Sequence, residues 1–192
     1  MITRLLFFCL LCMLSLAEAG AQTVEFPIHH NKVVFSDTVF VNNVSKDSIY
    51  ARAKNWVLKC FPAQNTSFND NNRTDSLIEA NGSLEFNQMD LHNLNKVIFE
   101  YKIHIDVYDN AYAYKIDKFK GRLYEKSQYT SNSAARICIE EDYANYLKNK
   151  RSTDYTRRVK QFYKLISQQI ESFNTALEVE PEDKYQRGPH LE

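Results

Sequence analysis

Glycine is scarce in this chain, with four in 192 residues. A loop that cradles phosphate, or a Gly-x-Ser-x-Gly nucleophile elbow, needs glycines at fixed spacing, and neither pattern occurs. The metal-ligand pattern His-Glu-x-x-His is missing as well, and the redox pattern Cys-x-x-Cys occurs only at Cys9 to Cys12, inside an apolar run. Charge of one sign is not in excess, because 24 basic residues balance 24 acidic ones. Nucleic-acid binding calls for a concentrated basic patch, so the balance speaks against that class. Long apolar runs are lacking too. The stretch Leu5 to Leu16 falls short of the ~20 residues that span a bilayer.

That stretch instead reads as the core of a secretory signal peptide over residues 1–21. Arg4 supplies the basic start, and Ala19-Gly20-Ala21 before Gln22 is a small-x-small cleavage site. Cys12 follows Leu11, and Cys9 is placed still worse, so neither suits lipidation. The remainder is expected to be exported, to the periplasm or outside the cell. Arg4 and Glu18 leave together, which keeps the mature chain neutral. Cys60 and Cys138 stay. Export makes a disulfide between them chemically possible, while their apolar neighbours favour two buried free thiols.

The stretch Lys96 to Phe119 organises the rest. Val97, Phe99, Tyr101, Ile103, Ile105 and Val107 alternate with Ile98, Glu100, Lys102, His104, Asp106 and Tyr108, the period of a strand with one buried face. Asp109-Asn110 marks a tight turn. A two-residue turn sets Tyr112, Tyr114 and Ile116 beside the odd apolar set, so both fall on one face. The other face places Lys102 across from Asp117, His104 across from Lys115, and Glu100 near Lys118 and Phe119.

Elsewhere the periods are equally direct. Thr23 to Asn31 is an extended lead, and Lys32 to Val41 is a first strand. Ser45 caps a helix running to about Phe61, with Ile49, Ala53, Trp56, Val57 and Cys60 on its apolar stripe and Val44 stapled to Ile49. Leu77 to Phe86 fits one continuous strand, in which Gly82 marks a bulge or a close backbone approach. Asn87 to Asn95 reads as a loop, and Ser127 to Ala135 as polar and mobile. Glu140 to Lys150 has the pattern of a short helix. A final helix starts near Thr153-Asp154 with a stripe of Val159, Phe162, Tyr163, Ile166, Ile170, Phe173 and Leu177. Its stripe must bury against the sheet. One domain is expected over 22–179, and 180–192, without apolar period, is expected to be disordered.

The segment Val44-Ser45-Lys46-Asp47-Ser48-Ile49-Tyr50-Ala51-Arg52-Ala53, with Trp56, Ile78, Gly82 and the long hairpin, resembles a family of exported Gram-negative bacterial proteins. That family is known as a domain of unknown function with a fold like the TATA-box-binding protein. The likeness covers about Val33 to Phe119. It implies a fold and a compartment but transfers no catalytic residue. The expected class is α+β: an antiparallel sheet of about five strands with two helices on one face, in β-α-β4-α order.

Candidate chemistry is sparse. His29 and His30, adjacent on an extended strand, would point to opposite faces and so cannot share one ion. Asp70 to Asp75 lacks the glycine and bidentate glutamate of a calcium loop, and Glu140-Glu141-Asp142 suits a helix start. No catalytic residue, metal or cofactor is therefore assigned. A minor-groove reader wants a basic, wedge-bearing sheet face, whereas Glu100, Lys102, His104, Asp106, Lys115 and Asp117 are of mixed sign. These six form the candidate partner surface. The leading function is a non-enzymatic binding module of the cell envelope, with an unknown protein or glycan, or a second copy of the chain, as partner. The alternative is a small periplasmic enzyme whose site is assembled from distant residues.

Overall fold

Alternating burial fixes the sheet, and the helices follow from what it leaves uncovered. The computed structural model describes residues 23–61, 66–68, 76–90, 93–124, 134–149 and 154–178. The expected signal peptide, the Asp70 to Asp75 segment, Tyr129 and the 180–192 tail lie outside the described residues. In chain order the elements are β1 (Ile28–His29), β2 (Lys32–Val33), β3 (Phe35–Phe40), α1 (Lys46–Cys60), β4 (Thr66–Phe68), β5 (Ser76–Asp90), β6 (Asn93–Tyr108), β7 (Ala111–Tyr124), β8 (Ala134–Ile137), α2 (Ile139–Lys148) and α3 (Asp154–Glu178). The main sheet is antiparallel in the order β3-β7-β6-β5-β4, and β8 pairs with the far end of β7. The class is α+β, with three helices among the described residues.

The β6–β7 hairpin has the expected register, Val107 opposite Tyr112 and Lys102 opposite Asp117. Beyond that point the register shifts, and Glu100 faces Lys120. The extra residue is Lys118, whose φ of 59° is left-handed, a bulge geometry that normally selects glycine. The shift reverses the parity of β7. Phe119, expected near Glu100 on the polar face, turns instead to the core, where its ring meets Phe162 at 5.1 Å. Lys118→Gly should therefore stabilise the domain by roughly 0.5–1 kcal/mol by relieving the left-handed strain. A thermal melt rising by about 2–4 °C would show it, and an unchanged or lower melt would refute it.

Helix α1 starts as its sequence dictates. Ser48 N donates to Ser45 Oγ at 3.4 Å, and the β6–β7 turn docks on the same end. Asp109 Oδ1 accepts from Lys46 N, and Asn110 Oδ1 from Val44 N. Ile49, Ala53, Trp56 and Val57 are buried. Trp56 is a core anchor, packed on Phe61 and Phe173 with its indole N–H donating to Ser172. Helix α3 lays Val159, Phe162, Ile166, Phe173 and Leu177 on the sheet beside α1. The N-terminal lead is also core: Tyr146 and Tyr143 hydroxyls accept from the amides of Val24 and Phe26.

Several expectations are corrected. The short helix read at Glu140 to Lys150 is present as α2, tied to α3 by Arg158 and Asp142, and with it the helices number three rather than the two of the expected class. Asn87 to Asn95 is no loop: β5 runs to Asp90 and β6 starts at Asn93, paired throughout. Polar side chains hid that pairing, because strand hydrogen bonds come from the backbone. Ala134 and Ala135 lie in β8 rather than in a mobile stretch. Gly82 causes no bulge, and the nearest atoms to an added Cβ there would be those of the Phe61 and Tyr101 side chains, so rings make the close approach. His30 is a turn residue at φ 49°, not a strand residue, and both histidines are exposed. Cys60 and Cys138 are free; Cys60 is exposed, since the α1 stripe drifts to the surface in its last turn, and Cys138, just before α2, is half-buried. Partial burial still pushes both thiols up.

Candidate functional site

Because the helices cover the face formed by odd residues of β6, its even residues look outward. The register builds that open face row by row. At one end Phe40 and Tyr108 flank Ala111, and their exposures are 80% and 52%. Next come Thr38, Ala113 and Asp106, then Lys115, His104 and Glu79, then Asp117, Lys102 and Asn81. Beyond the bulge follow Lys120, Glu100 and Ser83. Among the described residues, no helix or strand lies over these positions.

The middle rows are joined by charge. Glu79 takes Lys102 Nζ at 2.8 Å on one oxygen and His104 Nδ1 at 2.7 Å on the other. Lys115 Nζ meets Asp117 Oδ2 at 2.8 Å. Asp117 Oδ1 is buried without a hydrogen-bond partner and lies 3.9 Å from His104 Nε2. A carboxylate only accepts, so His104 Nδ1 carries a proton toward Glu79, while Nε2 lies beyond hydrogen-bond distance of Asp117 Oδ1. A hydroxyl or ammonium donor would satisfy that oxygen. Glu100 pairs with Arg122 instead, at 3.4 Å, and Asp106 is exposed and forms no ion pair among the described residues.

All six residues predicted for the partner surface therefore share one face. Lys102, His104, Lys115 and Asp117 belong to one network, whereas Glu100 and Asp106 stand on either side of it. Lys102 does not pair with the Asp117 opposite it but with Glu79 on the next strand. Glu79 was missed because its partners depend on the β5–β6 register, which the polar hairpin end concealed. Phe40 was missed because a single aromatic on a strand's polar side has no periodic signal.

The Lys102 hydrogen bond, helped by the charges of Lys102 and His104, holds the Glu79 carboxyl below its usual value. A depressed carboxyl contributes stability that is full above its unfolded value and is lost as pH falls through the folded one. Glu79→Gln should thus flatten the acid limb of the stability profile below about pH 5 and cost well under ~1 kcal/mol near neutrality. Denaturant melts of both proteins across pH 3–7 would check this, and identical acid limbs would refute it.

A space of about 480 Å³ touches Glu100, Lys102, Lys118 and Lys120, but also Phe61, Tyr101 and Gln169. By their register Glu100, Lys102 and Lys120 reach it from the open face, whereas Tyr101 belongs to the helix side. The Tyr101 phenol, on the helix side, is raised by burial. Among the described residues, no cluster of His, Cys, Asp and Glu is placed to hold a metal ion. No described helix is long and apolar enough to cross a membrane.

Residues 35–121 match the model of DUF4468, a domain of unknown function with a TBP-like fold. Among solved structures, the chain is similar to a TBP-like protein from Parabacteroides distasonis, with 20% identity and a TM-score of 0.61 over 79% of this chain and 96% of that one. It is also similar to a DUF4468 family protein from Bacteroides ovatus, with 17% identity and a TM-score of 0.56 over 86% and 95% of the two chains. Identity at this level shows the fold. No curated protein matches the chain.

Proposed function

We propose that this chain, whose residues 35–121 form a DUF4468 domain with the TBP-like fold, is an exported, non-enzymatic binding module that engages a protein or glycan of the cell envelope through its open sheet face. The observation that carries the reading is the unpartnered Asp117 Oδ1 beside His104 Nε2 on that face. A buried acceptor without a partner is costly, and a donor from a bound molecule would remove the cost. Phe40 and Tyr108 add exposed aromatic surface of the kind that protein and sugar contacts use. Export is supported by the signal-peptide pattern of residues 1–21. The mixed charge of the face speaks against nucleic acid.

The test is a pulldown of residues 22–192 from an envelope extract of the native host, beside the His104→Ala/Lys115→Ala variant checked for folding by circular dichroism. A protein or glycan captured by the first and lost from the second supports the reading. Recovery of the bait alone, or equal capture by both, overturns it. Sedimentation of the pure protein distinguishes a second copy as the partner.

A further inference from the structure

On the helix side of the sheet, the outer end of β5 and the first turns of α3 enclose a groove of about 460 Å³. Phe86 gives it an apolar wall, and Arg157, Lys160, Gln161 and Lys164 line it from one stripe of α3. Gln88 reaches it from the strand. That side chain is 6% exposed, and its Oε1 has no hydrogen-bond partner. Asn95, opposite Gln88 in the register, is 5% exposed and likewise leaves Oδ1 unpartnered. Buried polar groups in native proteins are almost always satisfied, so two facing orphans are a departure that calls for a cause.

The cations of the groove differ from one another. Arg157 is engaged, donating to Met89 O at 2.8 Å and to Asp154 Oδ1 at 2.9 Å. Lys160 and Lys164 are exposed and make no ion pair or hydrogen bond among the described residues. The space thus offers two ammonium groups near a buried amide oxygen, Gln88 Oε1, that lacks a donor. From this we infer that the groove binds a small hydroxylated carboxylate of the sugar-acid class, with its carboxylate on Lys160 and Lys164 and a hydroxyl donating to Gln88 Oε1. An amine could also donate, but three neighbouring cations disfavour it. The volume fits one or two sugar units. This site is on the side of the sheet opposite the open face and does not depend on the binding role proposed for that face.

Titration calorimetry on residues 22–192 with D-glucuronate tests the site, with methyl glucoside and sulfate as comparisons. The expected result is saturable binding of glucuronate, at least tenfold weaker binding of methyl glucoside and sulfate, and at least tenfold loss in Lys160→Gln/Lys164→Gln. Gln88→Leu, which removes the orphan without emptying the site of volume, should also lose binding at least tenfold while melting no lower than the parent. No heat with glucuronate, equal affinity for sulfate, or binding unchanged in the variants overturns the inference.

Discussion

Phe162→Ala is expected to lower the unfolding free energy by about 3–5 kcal/mol, the range for deleting a buried phenylalanine side chain. Phe162 is fully buried, and its ring lies at the centre of an aromatic cluster: Phe99 at 5.0 Å, Phe119 at 5.1 Å, Phe26 at 5.5 Å and Phe35 at 6.4 Å. These partners come from the N-terminal lead, β3, β6 and β7, so one side chain of α3 locks four segments. Edge-on packing among such rings adds about 0.5–1.5 kcal/mol per pair beyond the buried area. The surrounding rings are themselves held by the sheet, which limits collapse into the cavity and places the cost toward the upper end. Since domains of this size are stable by only ~5–15 kcal/mol, the variant should lie close to unfolding at 37 °C. Urea denaturation with an unchanged slope would measure the loss, and a loss below about 1 kcal/mol would show that the cluster is not the centre of the core. Phe40→Ala, at an exposed ring, should change stability by less than about 0.5 kcal/mol.

The second large effect is electrostatic. Arg158 grips Asp142 with two hydrogen bonds, Nε to Oδ2 at 2.8 Å and Nη2 to Oδ1 at 2.7 Å. Their side chains are 13% and 10% exposed, and the pair holds α2 against α3. Removing one partner leaves a charge stranded out of water, which costs about 3–5 kcal/mol. Asp142→Ala should therefore destabilise by that amount. Replacing both together, Asp142→Leu/Arg158→Met, should be close to neutral, because desolvation of the pair nearly offsets its attraction. A double-mutant cycle by chemical denaturation separates these cases. Additive losses would mean that the two residues act independently and that α2 is held by its apolar contacts instead.

Much of the fold was legible from residue patterns alone. Apolar alternation from Val97 to Val107 specified which face of β6 is buried, since successive side chains must point to opposite sides. The Ser45 cap placed the start of α1 for an equally local reason. Reading failed where the determining contact was distant. Asn87 to Asn95 is polar, yet its backbone continues a long ladder, and nothing local distinguishes a polar strand from a loop. The Lys118 bulge was invisible because lysine carries no signal for a left-handed backbone. With it went the side of Phe119, which one extra residue reverses.

The candidate site divides in the same way. The sequence by itself determined that Lys102, His104, Lys115 and Asp117 share a face, because period and turn length settle a hairpin's sides. The tertiary structure alone decided that Glu79 joins Lys102 to His104, that Asp117 Oδ1 has no partner, and that Gln88, with Asn95 opposite it in the register, lines a groove beside α3. Each of those depends on how strands far apart in the chain align and what the last helix covers. Side-chain periodicity tells a residue which way to point; only the packed chain determines what it meets there.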